Sequence, residues 1–537
     1  MSLHVRPRPA GYRSAPSGPG EEAIIQEARR LRRRRWMIRT AGVALGALTA
    51  LAVVVVVDRS GGGRPASPAT GRDGRPYVNL RAFAGQGTLV FVSGQQLWVI
   101  DGADQSVREV ATPDGSIPST PVISPDGAWI AYLVKPAAAA ASAPAALWMA
   151  RADGSDRHQV TAEPIDTAFG WSPTADLFGV VIDTAMSYPS GAHGLAPTTV
   201  DLFTPTGSPR QLTAASSPGH SRRVEDAVWS PDGRSVAVSS WDLAVGPATV
   251  ETYPIDGGAP TTWFSINPGA SLPGVCTGCG GGKTIADLSG WWPRWGIGFW
   301  VYSSGATRNL DSTPLEVLSA PGATPHIIAH TLSDGITDAL STRANGSLAV
   351  VEVTGNTGRS YGQGKQVEVC QAHTFTCSPI PGDNIWAGPS HEPCPTRRCA
   401  PTPAAGSPGS AVSLDPAWSP DGNTLAYVKS PTSPTVGWPP LSWYQAHHLF
   451  IWNRNTNTST PVADTAGISV STWSAHGTRL LYVANDELWL WHRHRTPVAI
   501  ASPLYPPIEW EEIATDSNIS YYGQINWTAQ FNWWTPK

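Results

Sequence analysis

Charge is scarce in this sequence of 537 residues: Asp, Glu, Lys and Arg together make up 15% of it. The net charge of −4 is also unevenly spread. Residues 1–40 hold ten Arg against three Glu, about +7, so the remainder carries −4 − 7 = −11. An acidic remainder argues against nucleic acid as a partner. Cysteine is equally sparse, with six in all and none before Cys276, which excludes a lipid-modified cysteine near the N-terminus. Long apolar runs are also few. Ala41 to Val57 is an uncharged run of seventeen residues, and no small-x-small cleavage site directly follows it. The Ala50-Leu-Ala52 triplet lies inside the run, which argues for a retained anchor over a cleaved signal peptide.

With Trp36, Met37 and Ile38 on its leading side, the run is long enough to cross a bilayer core. Six Arg lie between positions 29 and 35, against one Arg and one Asp just after the run. This asymmetry places the N-terminus in the cytoplasm and the rest outside. The expected organisation is therefore a cytoplasmic Arg-rich tail (1–36), a transmembrane helix (37–57), a Gly/Pro/Ser linker (58–76) and one extracytoplasmic domain (77–537).

That domain is organised around one recurring phrase. It reads Trp229-Ser-Pro-Asp-Gly-Arg-Ser-Val-Ala-Val238, and again from Ile123 and from Trp418. Looser copies start at Trp171, Trp292, Ser341 and Trp473. Ser124, Asp126 and Gly127 make a tight turn in the first clean copy, as do Ser230, Asp232 and Gly233, and Ser419, Asp421 and Gly422. Pro presets φ, Asp bonds nearby backbone, and Gly takes the positive-φ position. An apolar run follows each turn, so each copy reads as strand–turn–strand. In the better copies two more strands follow, as in Ala146 to Ala150 and Arg157 to Val160. Four strands recurring at intervals of about 48 to about 76 residues signal the blades of an all-β propeller.

The first strands (Thr88–Val92, Gln96–Ile100, Ser106–Val110) have no turn phrase before them. The strand-like segment Ile519 to Trp534 follows the last repeat. The two chain ends are expected to complete one blade together, giving eight blades, or seven if the copy at Trp292 or Ser341 is a false match. The W-S-P-D-G-x-x-[IVL]-A pattern resembles the repeat of TolB-like periplasmic β-propellers over roughly 80–535. The propellers of prolyl-oligopeptidase-type peptidases carry similar repeats. The resemblance implies a fold and no single activity.

Insertions are expected at 265–288, 382–414 and 430–444. The third carries Trp438 and Trp443, a candidate contact surface. The cysteines form close pairs, Cys276/Cys279, Cys370/Cys377 and Cys394/Cys399, and all are disulfide candidates outside the cytoplasm. A redox-active Cys276-x-x-Cys279 and a zinc site from four of these cysteines are weaker readings. Adjacent His447 and His448 would point to opposite sides of a strand and cannot chelate together. No catalytic residue, metal ligand or cofactor emerges. The peptidase relatives carry a separate hydrolase domain, whereas this chain ends within its last repeat. The expected function is a membrane-anchored scaffold or receptor in the cell envelope, binding a protein or a surface polymer. A hydrolase-, lyase- or lactonase-type enzyme, or a ligand sensor, with its site in the central channel is the alternative.

Overall fold

The computed structural model describes residues 75–536, apart from 138–144, 184–197, 208, 214–215, 218–219, 243–245, 268–283, 304–312, 332–339, 354–364, 381–410, 432–444, 463–464, 494 and 505–526. The chain divides between Ser67 and Pro68, and every described residue belongs to the second part. The expected tail and membrane helix lie outside the described residues. Among the described residues no helix is long and apolar enough to cross a membrane.

The described residues form seven antiparallel sheets that follow one another along the chain. Sheet I holds Thr88–Ser93, Gln96–Asp101 and Ser106–Val110, with Phe531–Trp534 added beside the first. Sheet II has seven strands: Ser116–Ile123, Trp129–Pro136, Ala145–Arg151, His158–Trp171, Phe178–Asp183, Thr198–Phe203 and Arg210–Gln211. The long fourth strand pairs through its start with Ala145–Arg151 and through its end with Phe178–Asp183. Sheet III is built on His220–Trp229, Ser235–Asp242, Ala248–Pro254 and Thr261–Ile266. Sheet IV comprises Thr284–Trp292, Gly296–Ser303, Thr313–Leu318 and His326–Thr331. Sheet V comprises Leu340–Thr342, Leu348–Val353, Lys365–Gln371 and Thr376–Pro379. Sheet VI comprises Ala411–Trp418, Thr424–Pro431, His448–Asn453 and Thr458–Pro461. Sheet VII comprises Ile468–Trp473, Arg479–Ala484, Glu487–His492 and Val498–Ser502, with Tyr77–Val78 on its outer edge.

The second strands are apolar on both faces, as in Leu89 to Val92, because a neighbouring sheet covers each face. Outer strands alternate, as in Ser106–Val110, because one face is wet. The apolar clusters connect the sheets in sequence. Val90 and Val99 of sheet I pack with Ile130 and Tyr132 of sheet II. Val181 and Val200 of sheet II pack with Val224 and Val238 of sheet III. One cluster runs through sheets III, IV and V, and another through V, VI and VII. Leu481 and Ile500 of sheet VII then pack with Leu89 and Phe91 of sheet I. Each sheet covers the next and the last covers the first, which makes the fold a β-propeller.

The chain ends meet in sheet I, where Phe531 to Trp534 lie antiparallel to Phe91 to Thr88. The strand is shorter than the expected 519–534. A 3-10 turn at Trp527–Ala529 precedes it, and 519–526 lie outside the described residues. The turn aims the Gln530 carbonyl at the Val92 amide (2.8 Å), which starts the ladder there.

Candidate functional site

Within each four-strand set we letter the strands A to D in chain order, except that Phe531–Trp534 is strand A of sheet I and Thr88–Ser93 its strand B. Antiparallel order puts the A–B and C–D turns at one end of the sheets. The B–C and D–A connections leave from the other end. The two ends differ in chemistry.

The turn phrase builds the first end. In all three clean copies the serine amide donates to the carbonyl five residues on, at 2.7–2.8 Å. That residue's amide returns a bond to the serine Oγ at 2.9 Å. The aspartate carboxylate accepts from the serine hydroxyl and from the amide two residues on, as in Asp232 with Ser230 (2.6 Å) and Arg234 (3.1 Å). Asp153, Asp232 and Asp421, all at this end, are thereby held below the usual carboxylate range. In three units the tryptophan before the serine is a staple between sheet units, whereas the buried Trp418 Nε1 of another copy makes no such bond. Trp171 Nε1 donates to Val122 O (2.9 Å), Trp229 to Gly170 O (3.0 Å) and Trp473 to Ala417 O (2.8 Å). Each acceptor sits just before the matching residue of the preceding repeat.

Neighbouring turns also bond to each other, as in Thr174 Oγ1 to Asp232 O (3.2 Å) and Asn345 Nδ2 to Asp421 O (3.0 Å). Gly233 shows how tight this stitching is. Its φ is +68°, and a Cβ there would lie 2.2 Å from Thr174 Oγ1. Gly233→Ala is expected to destabilise the protein by about 2–3 kcal/mol, the sum of a left-handed alanine and a displaced hydrogen bond. Chemical denaturation checks this. In a Thr174→Ala background, where that hydrogen bond is already absent, Gly233→Ala should cost only the backbone share.

The other end is open in sequence. Continuous A–B and C–D connections run from three residues (293–295) to seven (319–325). The B–C and D–A connections include 184–197, 267–283, 380–410 and 432–447. All three expected insertions therefore depart from this end. Their limits are corrected by the ladders, which extend to Ile266, Thr284, Ala411 and Pro431.

Between the ends lies a feature that sequence reading missed. The strand B residue nine places after the start of the turn phrase faces one residue of strand C. In sheet IV, whose A–B turn is shorter, the residue on the same face is seven places after Trp292, and in sheet I, which has no phrase, it is Phe91. In four consecutive units the C residue is acidic: Asp201 opposite Val180, Glu251 opposite Val238, Glu316 opposite Phe299, and Glu368 opposite Val350. In the remaining units both residues are aromatic: Phe91 with Trp98, Tyr132 with Trp148, Tyr427 with Phe450, and Tyr482 with Trp489. The ring thus has an acidic arc and an aromatic arc.

Glu251 is matched. Arg222 Nη2 lies 2.8 Å from its Oε2, and the Tyr253 hydroxyl donates to the same oxygen at 3.0 Å. The other three are buried, with relative exposures of 9% (Asp201), 3% (Glu316) and 4% (Glu368). One carboxylate oxygen of each accepts no hydrogen bond. Burial raises Glu316 to about 7. Burial, aided by Glu163, raises Asp201 to about 6. Burial, aided by Glu352, raises Glu368 to about 7. Asp486, in a B–C turn, rises to about 6 through burial and Glu487. These groups are raised towards neutrality, whereas Asp153, Asp232 and Asp421 of the stitched end are lowered.

The repeat-turn residues hold the A–B turns through the hydrogen bonds described above. Cys370 and Cys377 sit opposite one another on strands C and D of sheet V and form a disulfide. Cys276, Cys279, Cys394, Cys399, Trp438 and Trp443 lie outside the described residues. His447 and His448 engage separate carbonyls, of Ile468 (3.0 Å) and Thr465. Among the described residues no three His, Cys, Asp or Glu side chains gather as a metal centre. One sequence, Gly358-Arg-Ser-Tyr-Gly362, matches the Gly-x-Ser-x-Gly pattern of a hydrolase elbow. It joins two antiparallel strands, whereas an elbow needs a strand followed by a helix.

No protein-family model matches the chain. No curated protein matches it either. Among solved structures, a prolyl endopeptidase is similar at 14% identity and TM-score 0.41, covering 76% of this chain. The chain spans 53% of that protein's length. An oligogalacturonate lyase in complex with manganese is similar at 10% identity and TM-score 0.40, covering 78% of this chain and 98% of its own. TolB from Acinetobacter baumannii is similar at 12% identity and TM-score 0.28, covering 54% and 62%. Likenesses this distant assign no function, which must be argued from the residues of this chain.

Proposed function

We propose that this protein is a membrane-anchored binding propeller of the cell envelope, with its N-terminus in the cytoplasm and its ring outside. We count eight blades, taking the seven-stranded sheet as two blades that share His158–Trp171. The end that carries the long connections binds an envelope protein or a surface polymer. The carrying observation is the contrast between the ends: every connection longer than seven residues leaves from one of them. The other end is closed by turn-to-turn bonds and tryptophan staples. Variable segments on a rigid scaffold are where binding chemistry resides. Trp438 and Trp443, in the connection after Pro431, supply amphipathic contact area of the kind that anchors interfaces.

Affinity purification of the tagged full-length protein from its native membrane, with mass spectrometry of what accompanies it, tests this. Replacing 382–409 and 433–444 by short Gly/Ser loops should abolish the partner set and leave the ring folded. Partners that instead depend on residues 1–35 would move the function to the cytoplasmic side. If nothing accompanies the wild type, and no surface polymer retains it, the binding reading fails and channel catalysis takes its place.

A further inference from the structure

The acidic arc is not uniform. In the seam between sheets IV and V the recurring carboxylate has company. Glu352 on strand B stands opposite Gln366 on strand C, and Glu368 follows two residues later on the same face. All three are buried, with exposures of 6%, 4% and 4%. Sheet IV contributes His330. Its amide donates to Glu352 Oε2 at 2.7 Å, and its Nδ1 lies 3.5 Å from Glu352 Oε1. Gln366 uses its NH2 group on Glu368 Oε1 at 2.7 Å. Glu368 Oε2 and Gln366 Oε1 accept nothing from the protein. Lys365, next in sequence, projects to the other face of its strand, so no cationic side chain on strand C shares this face.

Two carboxylates and an amide oxygen, buried on one face, carry excess negative charge. A buried carboxylate without a partner costs several kcal/mol unless a proton or a cation neutralises it. The donor set is all oxygen, carboxylate and amide, the set preferred by a hard divalent ion that takes six to eight oxygens. The other seams lack this combination. Glu251 already has Arg222, Glu316 has no second carboxylate opposite on its face, and the carboxylate near Asp201, Glu163, is exposed.

We propose that the Glu352, Gln366 and Glu368 side chains form a calcium-class cation site on the face of sheet V that meets sheet IV. Glu368 Oε2 and the Gln366 carbonyl supply open oxygens, and Glu352 adds a carboxylate that keeps lone pairs beyond its contacts with His330. Water completes the shell. The His330 amide bond to Glu352 holds that carboxylate in place from the neighbouring sheet. The inference goes beyond the binding function proposed above and does not depend on it.

The test uses the purified full-length protein, stripped with EDTA and titrated with CaCl2 at neutral pH. MgCl2 and NaCl at matched ionic strength are controls. Calcium in hundredfold excess over its Kd is expected to raise the thermal midpoint by about 3 °C, with the controls well below that. Calorimetry should show one saturable site. Glu368→Gln should abolish the calcium response yet melt at or above wild type in EDTA, because it removes the unpaired charge. If that variant does not fold, Gln366→Ala takes its place, with a weakened response expected. Equal wild-type midpoints in calcium and EDTA would overturn the proposal. So would a full response in Glu368→Gln, or an equal response to sodium.

Discussion

Removing the last seven residues, Phe531 to Lys537, is expected to leave the protein without a cooperative folding transition. The strand is short, but it touches three sheets. It pairs with Thr88–Phe91 of sheet I. The Asn532 side chain accepts from the Ile123 amide of sheet II at 3.1 Å, and Trp534 Nε1 donates to Pro125 O at 3.0 Å. The Thr535 hydroxyl accepts from the Ala475 amide of sheet VII at 2.6 Å. Phe531 is buried, Trp533 Nε1 donates to Gln86 O at 2.7 Å, and the Trp534 ring lies against Gly127. Losing one large buried aromatic costs about 3–5 kcal/mol. Phe531 is one such residue, and the half-buried Trp533 and Trp534, with the lost ladder and side-chain hydrogen bonds, bring the total towards the stability of a typical domain, about 5–15 kcal/mol. The deletion also exposes the inner edge of Thr88–Ser93, an invitation to pair with another chain. Circular dichroism melting and size-exclusion chromatography of the truncated chain should show lost cooperativity and aggregates. A melting temperature within a few degrees of wild type would mean that the ring does not depend on this closure.

Stability should also depend on pH in an unusual direction. Model carboxyls titrate near 4. Asp201 and Asp486 titrate near 6 in the folded ring, and Glu316 and Glu368 near 7. Burial raises Asp226 as well, in the innermost strand of sheet III. Between the two ranges the folded state holds protons that the unfolded state has released. Stability therefore falls as pH rises from about 5 to about 8, by at most about 1.4 kcal/mol per group per pH unit. His447 opposes this trend. Burial lowers it to about 4, so its contribution grows as pH rises through that range. One histidine does not cancel five carboxyls. Below about 4 the turn aspartates Asp153, Asp232 and Asp421 lose their bonds as they protonate, and stability falls again. In EDTA, the melting temperature near pH 5 should exceed that near pH 8 by about 5 °C. A maximum at pH 7–8 would show that the carboxyls of the arc are ionised and compensated in the folded protein.

The turn phrase made much of the architecture legible. Pro125, Asp126 and Gly127 fix a turn whatever surrounds them, and the apolar run after each turn can only be a covered strand. The looser copies kept the turn's hydrogen bonds even where the letters changed, as with Ser474 and Gly477. The tryptophan staples were hidden because their acceptors are backbone carbonyls some fifty residues away, as with Trp229 and Gly170. The acidic arc was present in the letters but not in any local pattern. Glu368 looks like one of several polar residues in Lys365–Gln371 until the third strands are aligned on the turn phrase. Glu352 and His330 come together across a seam, which no spacing along the chain encodes.

That one end of the ring binds, while the other only holds it together, is tested most directly by a photo-crosslinking amino acid placed at exposed positions of each end, in cells. Gln95 and Asn485 mark the B–C end, and Arg234 and Asn455 mark the stitched end. Mass spectrometry of the adducts should find partner crosslinks from Gln95 or Asn485 and none from Arg234 or Asn455. Crosslinks arising mainly at Arg234 and Asn455 would contradict this assignment, because the stitched end would then be the binding face.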